Sequence, residues 1–233
     1  MYHPFSVTET ISVAWQILKK NFATIAVYTL IAAVIFIATP FILNFILFDV
    51  IVASIGVIIY IICISFVYLG FIKLVFQLID KEYYDFDFAD IVPRIKMLGS
   101  YIVLLIIVST LAVFITEAIK QLDDGLVKYL LGIISAVVVE IFFLFYFPIC
   151  ACFMVDDNSG PFESVAQSFQ LIRGNFLKYF VLFIFIEVLV VIGSLLIVGL
   201  IFVVPFVNIL LVVAYRKLIY SHLDVDDEVT ETL

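Results

Sequence analysis

The chain has 233 residues, of which 66% are hydrophobic and 14% are charged, and its mean hydropathy is +1.29. A soluble domain of this length could not cover so much apolar surface with so few charges, so the composition predicts a polytopic α-helical membrane protein. The net charge is −8, and neither a basic patch nor a basic tail favours binding to nucleic acid. The apolar runs lack the alternation of a transmembrane barrel.

The first predicted element is an amphipathic helix that ends in basic residues. Ser6 and Glu9 match a capping box, in which each side chain bonds the other residue's backbone N–H. Helical spacing predicts one apolar face, made of Val7, Ile11, Trp15, Leu18 and Phe22. Trp on the apolar face with Lys at the helix end is typical of a membrane interface, although packing on a helix bundle would explain the same pattern.

Six apolar runs are long enough to cross a hydrocarbon core of about 30 Å and are predicted as membrane spans. They cover about residues 23–48, 50–79, 100–119, 128–155 and 176–196, and a last run that ends near residue 218. Pro40 is expected to kink the first span, and Pro148 and Pro205 lie within the fourth and the sixth.

Two further amphipathic segments separate these spans. Residues 85–99 keep apolar residues at helical spacing, with Asp85 or Asp87 as a predicted N-cap, although Pro93 weakens the helix prediction. After a turn at residues 156–160, Pro161 suits the first position of a helix. The predicted buried face of that helix is Phe162, Val165, Ala166, Phe169 and Ile172. Gly174 or Asn175 is expected to provide a left-handed C-cap.

A repeated eight-residue pattern organises the chain. Residues 15–22 (Trp-Gln-Ile-Leu-Lys-Lys-Asn-Phe) closely match residues 169–176 (Phe-Gln-Leu-Ile-Arg-Gly-Asn-Phe), and residues 94–101 form a looser copy. Each copy joins an amphipathic helix to an apolar run. We term residues 15–22 the first elbow, residues 94–101 the middle elbow and residues 169–176 the third elbow. The predicted fold is an all-α integral membrane protein with six transmembrane helices as three parallel repeats, each an amphipathic cytoplasmic interfacial helix followed by a transmembrane hairpin.

The repeats are predicted to span about residues 5–80, 85–156 and 160–223 within a single membrane domain of residues 1–223. Residues 224–233 are predicted to form an acidic, disordered cytoplasmic tail. With both termini in the cytoplasm, ten of the twelve Lys and Arg residues face inward, and only Lys120 and Lys128 face outward. This bias predicts a multi-pass protein with cytoplasmic N- and C-termini.

Several short motifs resemble a bacterial superfamily of membrane proteins. They are residues 163–176, residues 205–216, the first elbow, Gly70 to Lys73 with the acidic and aromatic segment that follows, and residues 155–157. The superfamily includes the membrane domain of glycerophosphoryl diester phosphodiesterase and related membrane proteins of unknown function. The resemblance implies a six-span helical fold in a bacterial plasma membrane. It does not carry over the phosphodiesterase activity, which resides in a separate soluble barrel domain.

Two acids are predicted near the bilayer midplane, Glu140 in the fourth span and Glu187 in the fifth. A carboxylate at that depth costs several kcal/mol if it is charged, so each must be neutral, paired or near water. One interpretation is a proton or ion site in a polar cavity, and the other is a protonated Glu that bonds a neighbouring helix. The predicted lipid-contact residues at the interface are Trp15, Lys19, Lys20, Phe169 and Arg173.

Other reactive residue types do not form a recognised constellation. The three cysteines, Cys63, Cys150 and Cys152, lie in apolar runs and are predicted to be structural. His3 and His222 have no nucleophile or acid at catalytic spacing, and the acids of residues 85–90 lack the spacing of a calcium loop. We therefore predict neither a catalytic residue nor a metal site, and no cofactor.

The sequence favours a non-enzymatic scaffold or regulator that contacts lipid or a partner protein. The alternative is a small transporter or lipid-handling protein with an acidic site at mid-span, and an enzyme acting on lipid headgroups is disfavoured because no polar residues converge at headgroup level. Membrane lipids are the expected partners, and a membrane protein partner or a second copy of the chain stays open.

Overall fold

A computed structural model describes residues 5–46, 50–80, 88–195 and 197–231, and all regular structure in these ranges is helical. Long apolar side chains without glycine or proline breaks favour helices over most of this length. The α-helices are α1 (Val7–Lys20), α2 (Phe22–Ile46), α3 (Val50–Asp80), α4 (Ile95–Lys120), α5 (Leu126–Ile141), α6 (Phe147–Asp156), α7 (Pro161–Gly174), α8 (Phe176–Ser194) and α9 (Ile197–Glu231).

Six helical stretches in the described ranges are long and apolar enough to cross a membrane. They are Phe22–Leu43, Ser54–Asp80, Ala89–Lys120, Leu126–Asp156, Phe176–Ser194 and Ile201–Tyr220. The prediction of a multi-pass helical membrane protein with six spans is confirmed at this level.

The chain forms two compact units, and their boundaries do not follow those of the predicted repeats. Unit 1 comprises Met1–Arg94 and Gln170–Leu233. In unit 1, α9 packs on α8, on α1 and on α3, and α2 packs on α3. The interior of unit 1 is lined by fully buried large side chains of these helices, namely Ile25, Leu69, Leu74, Tyr179, Leu182, Leu210 and Tyr215.

Unit 2 comprises Ile95–Phe169. Every residue of α6 from Phe147 to Val155 is buried, whereas α5 contains no buried residue. The two helices of the α4–α5 hairpin pack on each other, and the parts of both helices next to the turn between them are exposed over most of their surface. In a membrane protein, such exposed apolar faces are the surfaces that meet lipid or another transmembrane helix.

The middle amphipathic segment is not a separate helix, so this part of the prediction is wrong. A 3₁₀ turn at Phe88–Ile91 is followed by an irregular stretch containing Pro93, and α4 begins at Ile95 and continues through the middle elbow into the third span. Pro93 cannot donate a helical hydrogen bond, and its ring restricts the residue before it. Asp85 and Asp87, the predicted N-caps, lie outside the described residues.

The fourth span is interrupted, which the sequence prediction missed. A π-helix at Phe142–Tyr146 separates α5 from α6. Pro148 follows within the first turn of α6, and its ring would clash with the carbonyl four residues earlier in a regular α-helix. The wider π turn removes that clash. Pro40 and Pro205, in contrast, lie inside α2 and α9, which continue past them.

One local prediction differs from the structure. α9 is assigned as far as Glu231, and the disordered acidic tail at residues 224–233 stays a prediction. The only left-handed non-glycine residue in the described ranges is Asn158, with φ 55°, in the predicted turn before α7. Asn175 has φ −130°, so the predicted left-handed cap at residues 174–175 is wrong.

Candidate membrane-surface site and mid-span acids

The first elbow bends at Asn21, between α1 and α2. Asn21 has φ −117° and ψ 24°, and it donates its backbone N–H to the Ile17 carbonyl at 3.1 Å. Its side-chain Nδ2 donates to the same carbonyl, also at 3.1 Å, and its own carbonyl accepts from Ile25 N–H. An Asn side chain that bonds a nearby backbone carbonyl in this way is favoured at helix ends and disfavoured in helix interiors.

The third elbow has the same joint. Asn175 has φ −130° and ψ 28°, and its backbone N–H donates to the Ile172 carbonyl at 3.0 Å. The Asn175 carbonyl accepts from Tyr179 N–H at 3.0 Å, as the Asn21 carbonyl accepts from Ile25. The two segments are 154 positions apart in sequence and share similar φ and ψ angles at Asn. The joints differ in one respect, because Asn21 N–H bonds the residue four positions back and Asn175 N–H the residue three positions back.

The buried faces of the two elbow helices combine small or hydroxyl residues with aliphatic ones. In α1 the buried residues are Thr10, Ala14 and Leu18, and at the matching positions α7 buries Ser164, Ser168 and Ile172. The hydroxyls bond carbonyls of their own helices: Thr10 Oγ1 donates to Ser6 O at 2.7 Å, and Ser168 Oγ donates to Ser164 O at 2.6 Å. Small residues let helices approach closely inside membrane proteins.

The aromatic residues of the elbows point outward instead. Trp15 and Phe169 are 47% and 46% exposed, and the next matched pair, Phe22 and Phe176, are 49% and 46% exposed. The prediction that Phe169, together with Phe162, belongs to a buried face of α7 is therefore wrong. An apolar face turns inward when water surrounds the protein, but lipid removes that requirement.

Cations accompany the exposed aromatic rings. Lys19 places its Nζ 5.1 Å from the centre of the Trp15 ring, and Lys20 and Arg173 are also exposed. Trp15 meets Phe206 of α9 edge-on at 5.8 Å, and Phe22 stacks on Phe202 at 6.2 Å. The first elbow thus presents a cation beside a strip of aromatic rings.

The predicted capping box at the start of α1 is only partly correct. Ser6 is the N-cap residue, but its side chain lies 3.2 Å from the Thr8 hydroxyl and makes no capping bond. Glu9 instead pairs with Lys217 of α9. Sequence proximity suggested a local pair, whereas the tertiary structure gives Glu9 a stronger, charged partner.

An ion pair in unit 1 joins the ends of two spans, and sequence reasoning missed it. Arg216 Nη2 of α9 lies 3.1 Å from Asp80 Oδ2 at the end of α3. The Arg216 guanidinium also covers the Phe76 ring at 4.7 Å. The available signal was that each residue lies at the end of an apolar run, but no sequence rule pairs positions 136 residues apart.

The two mid-span acids lie in different units. Glu140 is in unit 2 on α5, immediately before the π-helix, and its side chain is exposed. Glu187 is in unit 1 on α8 and is half-buried. A groove of about 660 Å³ lies against the C-terminal half of α4, where its lining includes Thr110, Glu117 and Gln121 but neither mid-span acid.

The remaining candidate residues show no built reactive centre. Cys150 is buried with its Sγ 3.2 Å from Ser168 Oγ, and Cys152 is buried nearby in α6. Among the described residues, no three His, Cys, Asp or Glu side chains are arranged to hold a metal ion. His3 and the side chain of His222 lie outside what the structure describes.

The fold and these surfaces define a class, that of multi-pass helical membrane proteins with exposed aromatic and cationic residues at the joints between helices. No family model matches the sequence, and no curated protein or solved structure matches it. Membership of the superfamily named above therefore stays a prediction.

Proposed function

We propose that this is a non-enzymatic scaffold or regulator of the bacterial plasma membrane, with both termini in the cytoplasm, and that its first and third elbows bind anionic phospholipid. The observation that carries the proposal is the matched exposure of Trp15 with Phe169 and of Phe22 with Phe176, beside exposed cations. The residue types that the two elbows share are aromatic rings, a cation and an Asn. Aromatic rings and an amide supply neither a nucleophile nor a general base, which favours binding over catalysis.

The residue types of the elbows prefer a particular depth in the bilayer. Amphipathic Trp rings prefer the headgroup level, and a basic residue near an anionic leaflet contributes roughly 1 kcal/mol of attraction. Lys19 and Lys20 end α1, one residue before the bend at Asn21, so they lie where the chain turns into its first span. Binding at two such joints would fix the tilt of the first and fifth spans relative to the membrane surface.

The chain has one tryptophan, which makes the first elbow directly measurable. In liposomes containing brominated phospholipids, we expect Trp15 fluorescence to be quenched more by bromines near the headgroup than by bromines near the chain end. Brominated phosphatidylglycerol should quench more than brominated phosphatidylcholine at equal mole fraction. The double variant K19Q/K20Q should lose this preference for the anionic lipid because it removes both cations.

The matched control is K120Q/K128Q, which removes two cations at the opposite ends of spans, each of them paired with a local acid. This control should leave the quenching of Trp15 unchanged. Equal quenching by both lipids in the unaltered protein would contradict the proposal, as would an unchanged preference in K19Q/K20Q.

The alternative function, a small transporter or lipid-handling protein, receives less support. It needs a polar cavity that contains the mid-span acids, whereas Glu140 is exposed, Glu187 is half-buried, and neither lines the groove against α4. The groove itself carries polar and apolar side chains in its lining, which fits a lipid lying against α4.

A further inference from the structure

Glu140 occupies an unusual position for an ionisable side chain. It lies fourteen residues after Leu126 and sixteen before Asp156, the ends of its membrane-spanning stretch. At about 1.5 Å per residue, Glu140 is therefore roughly 20 Å from either end of the stretch. Its side chain is exposed on a helix that has no buried residue.

Lipid cannot satisfy this group. A charged carboxylate at the bilayer centre costs several kcal/mol, and a protonated carboxyl still has a hydroxyl donor and a carbonyl acceptor that hydrocarbon leaves unbonded. The Glu side chain is too short to reach water over roughly 20 Å, unlike the longer Lys and Arg side chains near span ends. The nearest cation along the same helix, Lys128, is bonded to Asp124 at 2.8 Å in the outer loop.

The face that carries Glu140 permits close approach of another helix. Gly132 and Ala136 precede Glu140 at intervals of four residues and therefore lie on the same side of α5. Ala136 is exposed, and a side-chain carbon added at Gly132 would meet no atom within 4 Å. Without bulky side chains at these two positions, the backbones of two helices could come close enough for a short carboxyl side chain to bridge them.

We propose that the α5 face of Gly132, Ala136 and Glu140 binds the same face of a second copy of this chain. Two copies inserted with the same topology place Glu140 at the same depth, and a two-fold axis along the membrane normal brings the two residues together. A protonated carboxyl is self-complementary, because each group donates one hydrogen bond and accepts one from the other. A second copy therefore satisfies both groups without any other polar residue.

Other occupants fit this face less well. A different protein would have to carry its own polar side chain at mid-membrane depth, which is rare in transmembrane helices. Within this chain, the other acid at that depth is Glu187, which is half-buried in unit 1. Contact between the α5 faces of two copies therefore needs no polar residue other than Glu140 of each copy.

The test is energy transfer in liposomes between full-length chains that carry donor and acceptor dyes ligated at the C-terminus. Transfer should rise with the protein-to-lipid ratio above the level of random proximity. Glu140→Gln should retain association, since an amide can also donate and accept across the two-fold axis. Glu140→Leu should weaken association about tenfold, although Leu is better suited to lipid. Val138→Leu, an equally apolar change on the opposite side of α5, should have no effect.

Further variants keep the test decisive if Glu140→Leu folds poorly. Ala136→Leu should also weaken association because its bulk separates the helices. Ala136→Cys, but not Val138→Cys, should form a disulfide-linked dimer under oxidation. The proposal is overturned if the unaltered chain stays monomeric at every ratio, which would point to lipid or a different protein as the occupant. It is equally overturned if association survives both Glu140→Leu and Ala136→Leu.

Discussion

The two units begin their spans differently, although the sequence repeats the same pattern. In unit 1 the joints are at Asn21 and Asn175, where one helix ends and a second begins at the following Phe. In unit 2 the matching position is Ser100, and α4 runs through it without a break. The aromatic residue after the joint is half-exposed in unit 1, whereas its counterpart Tyr101 is buried.

This difference shows that the Asn at the joint matters more than the repeated pattern around it. The Asn21 Nδ2 donates to the Ile17 carbonyl, which also accepts the Asn21 backbone N–H, and α1 ends beside this residue. The equivalent residue of the middle elbow, Ser100, lies inside α4 and does not end that helix. Once the helix continues, the following ring rotates inward, and Tyr101 packs 5.1 Å from Phe147.

The largest expected change in the free energy of unfolding comes from truncating the buried Tyr101 ring rather than the half-exposed Phe22 ring. Tyr101→Ala should lower the free energy of unfolding by about 3 kcal/mol because it leaves a cavity beside Phe147. Phe22→Ala should cost about 1 kcal/mol or less, since that ring is half-exposed and stacks on Phe202. Unfolding by sodium dodecyl sulfate in mixed micelles measures both values. Equal losses would mean that the two positions are equivalent after all.

The next effect tests the joint itself. Asn21→Leu keeps the side-chain size but removes the bond from Nδ2 to the Ile17 carbonyl, and we expect a loss of about 1–2 kcal/mol. The same change should move Trp15 relative to brominated lipids, because α1 would no longer turn at residue 21. Asn175→Leu provides the matched change at the other joint. Unaltered stability together with unaltered quenching of Trp15 would refute the role assigned to Asn21.

A smaller change in stability is expected when an ion pair is removed, and its size should differ between the two units. Asp80→Asn in unit 1 removes the ion pair with Arg216, which links α3 to α9 and is partly exposed, so we expect a loss of roughly 1 kcal/mol. The corresponding pairs at the α4–α5 turn of unit 2, Lys120–Glu117 and Lys128–Asp124, are local. Asp124→Asn should therefore change stability less than Asp80→Asn when both are measured in the same detergent series. The reverse order would argue against Arg216–Asp80 as a link between helices.

The smallest effect is a pH dependence at the same turn. The hydrogen bond from Lys128 and its positive charge lower the pKa of Asp124 below its usual 3.8. The stabilisation that follows is present above pH 3.8 and disappears as the pH falls through the lowered pKa. Because Asp124 is fully exposed, the effect on unfolding should be slight. Titrating the carboxyl by nuclear magnetic resonance should show the lowered pKa in the unaltered chain and a return toward 3.8 in Lys128→Gln.

Local patterns predicted much of the architecture. The six spans follow from apolar length alone, and the Asn-Phe pairs at residues 21–22 and 175–176 marked the two joints correctly. Periodicity failed where it relied on the rule for water-soluble helices. It placed Phe162 and Phe169 inside, whereas α7 buries Ser164 and Ser168.

Candidate sites were harder to predict than spans. Counting along the chain located Glu140 and Glu187 near mid-span, but it could not show that one is exposed and the other half-buried. The pairing of Arg216 with Asp80 was also beyond sequence rules, because the two residues are far apart along the chain. In each case the missing information is which helix packs on which.

The sequence by itself therefore determined that this is a six-span helical membrane protein with aromatic and basic residues at its helix joints. Hydropathy and charge act locally along the chain, so no knowledge of packing was needed for that conclusion. The tertiary structure decided which faces are buried, which charges pair, and that Glu140 is exposed near the end of α5. Lipid and protein interior are both apolar, so hydrophobicity does not distinguish them, and only close packing between helices can.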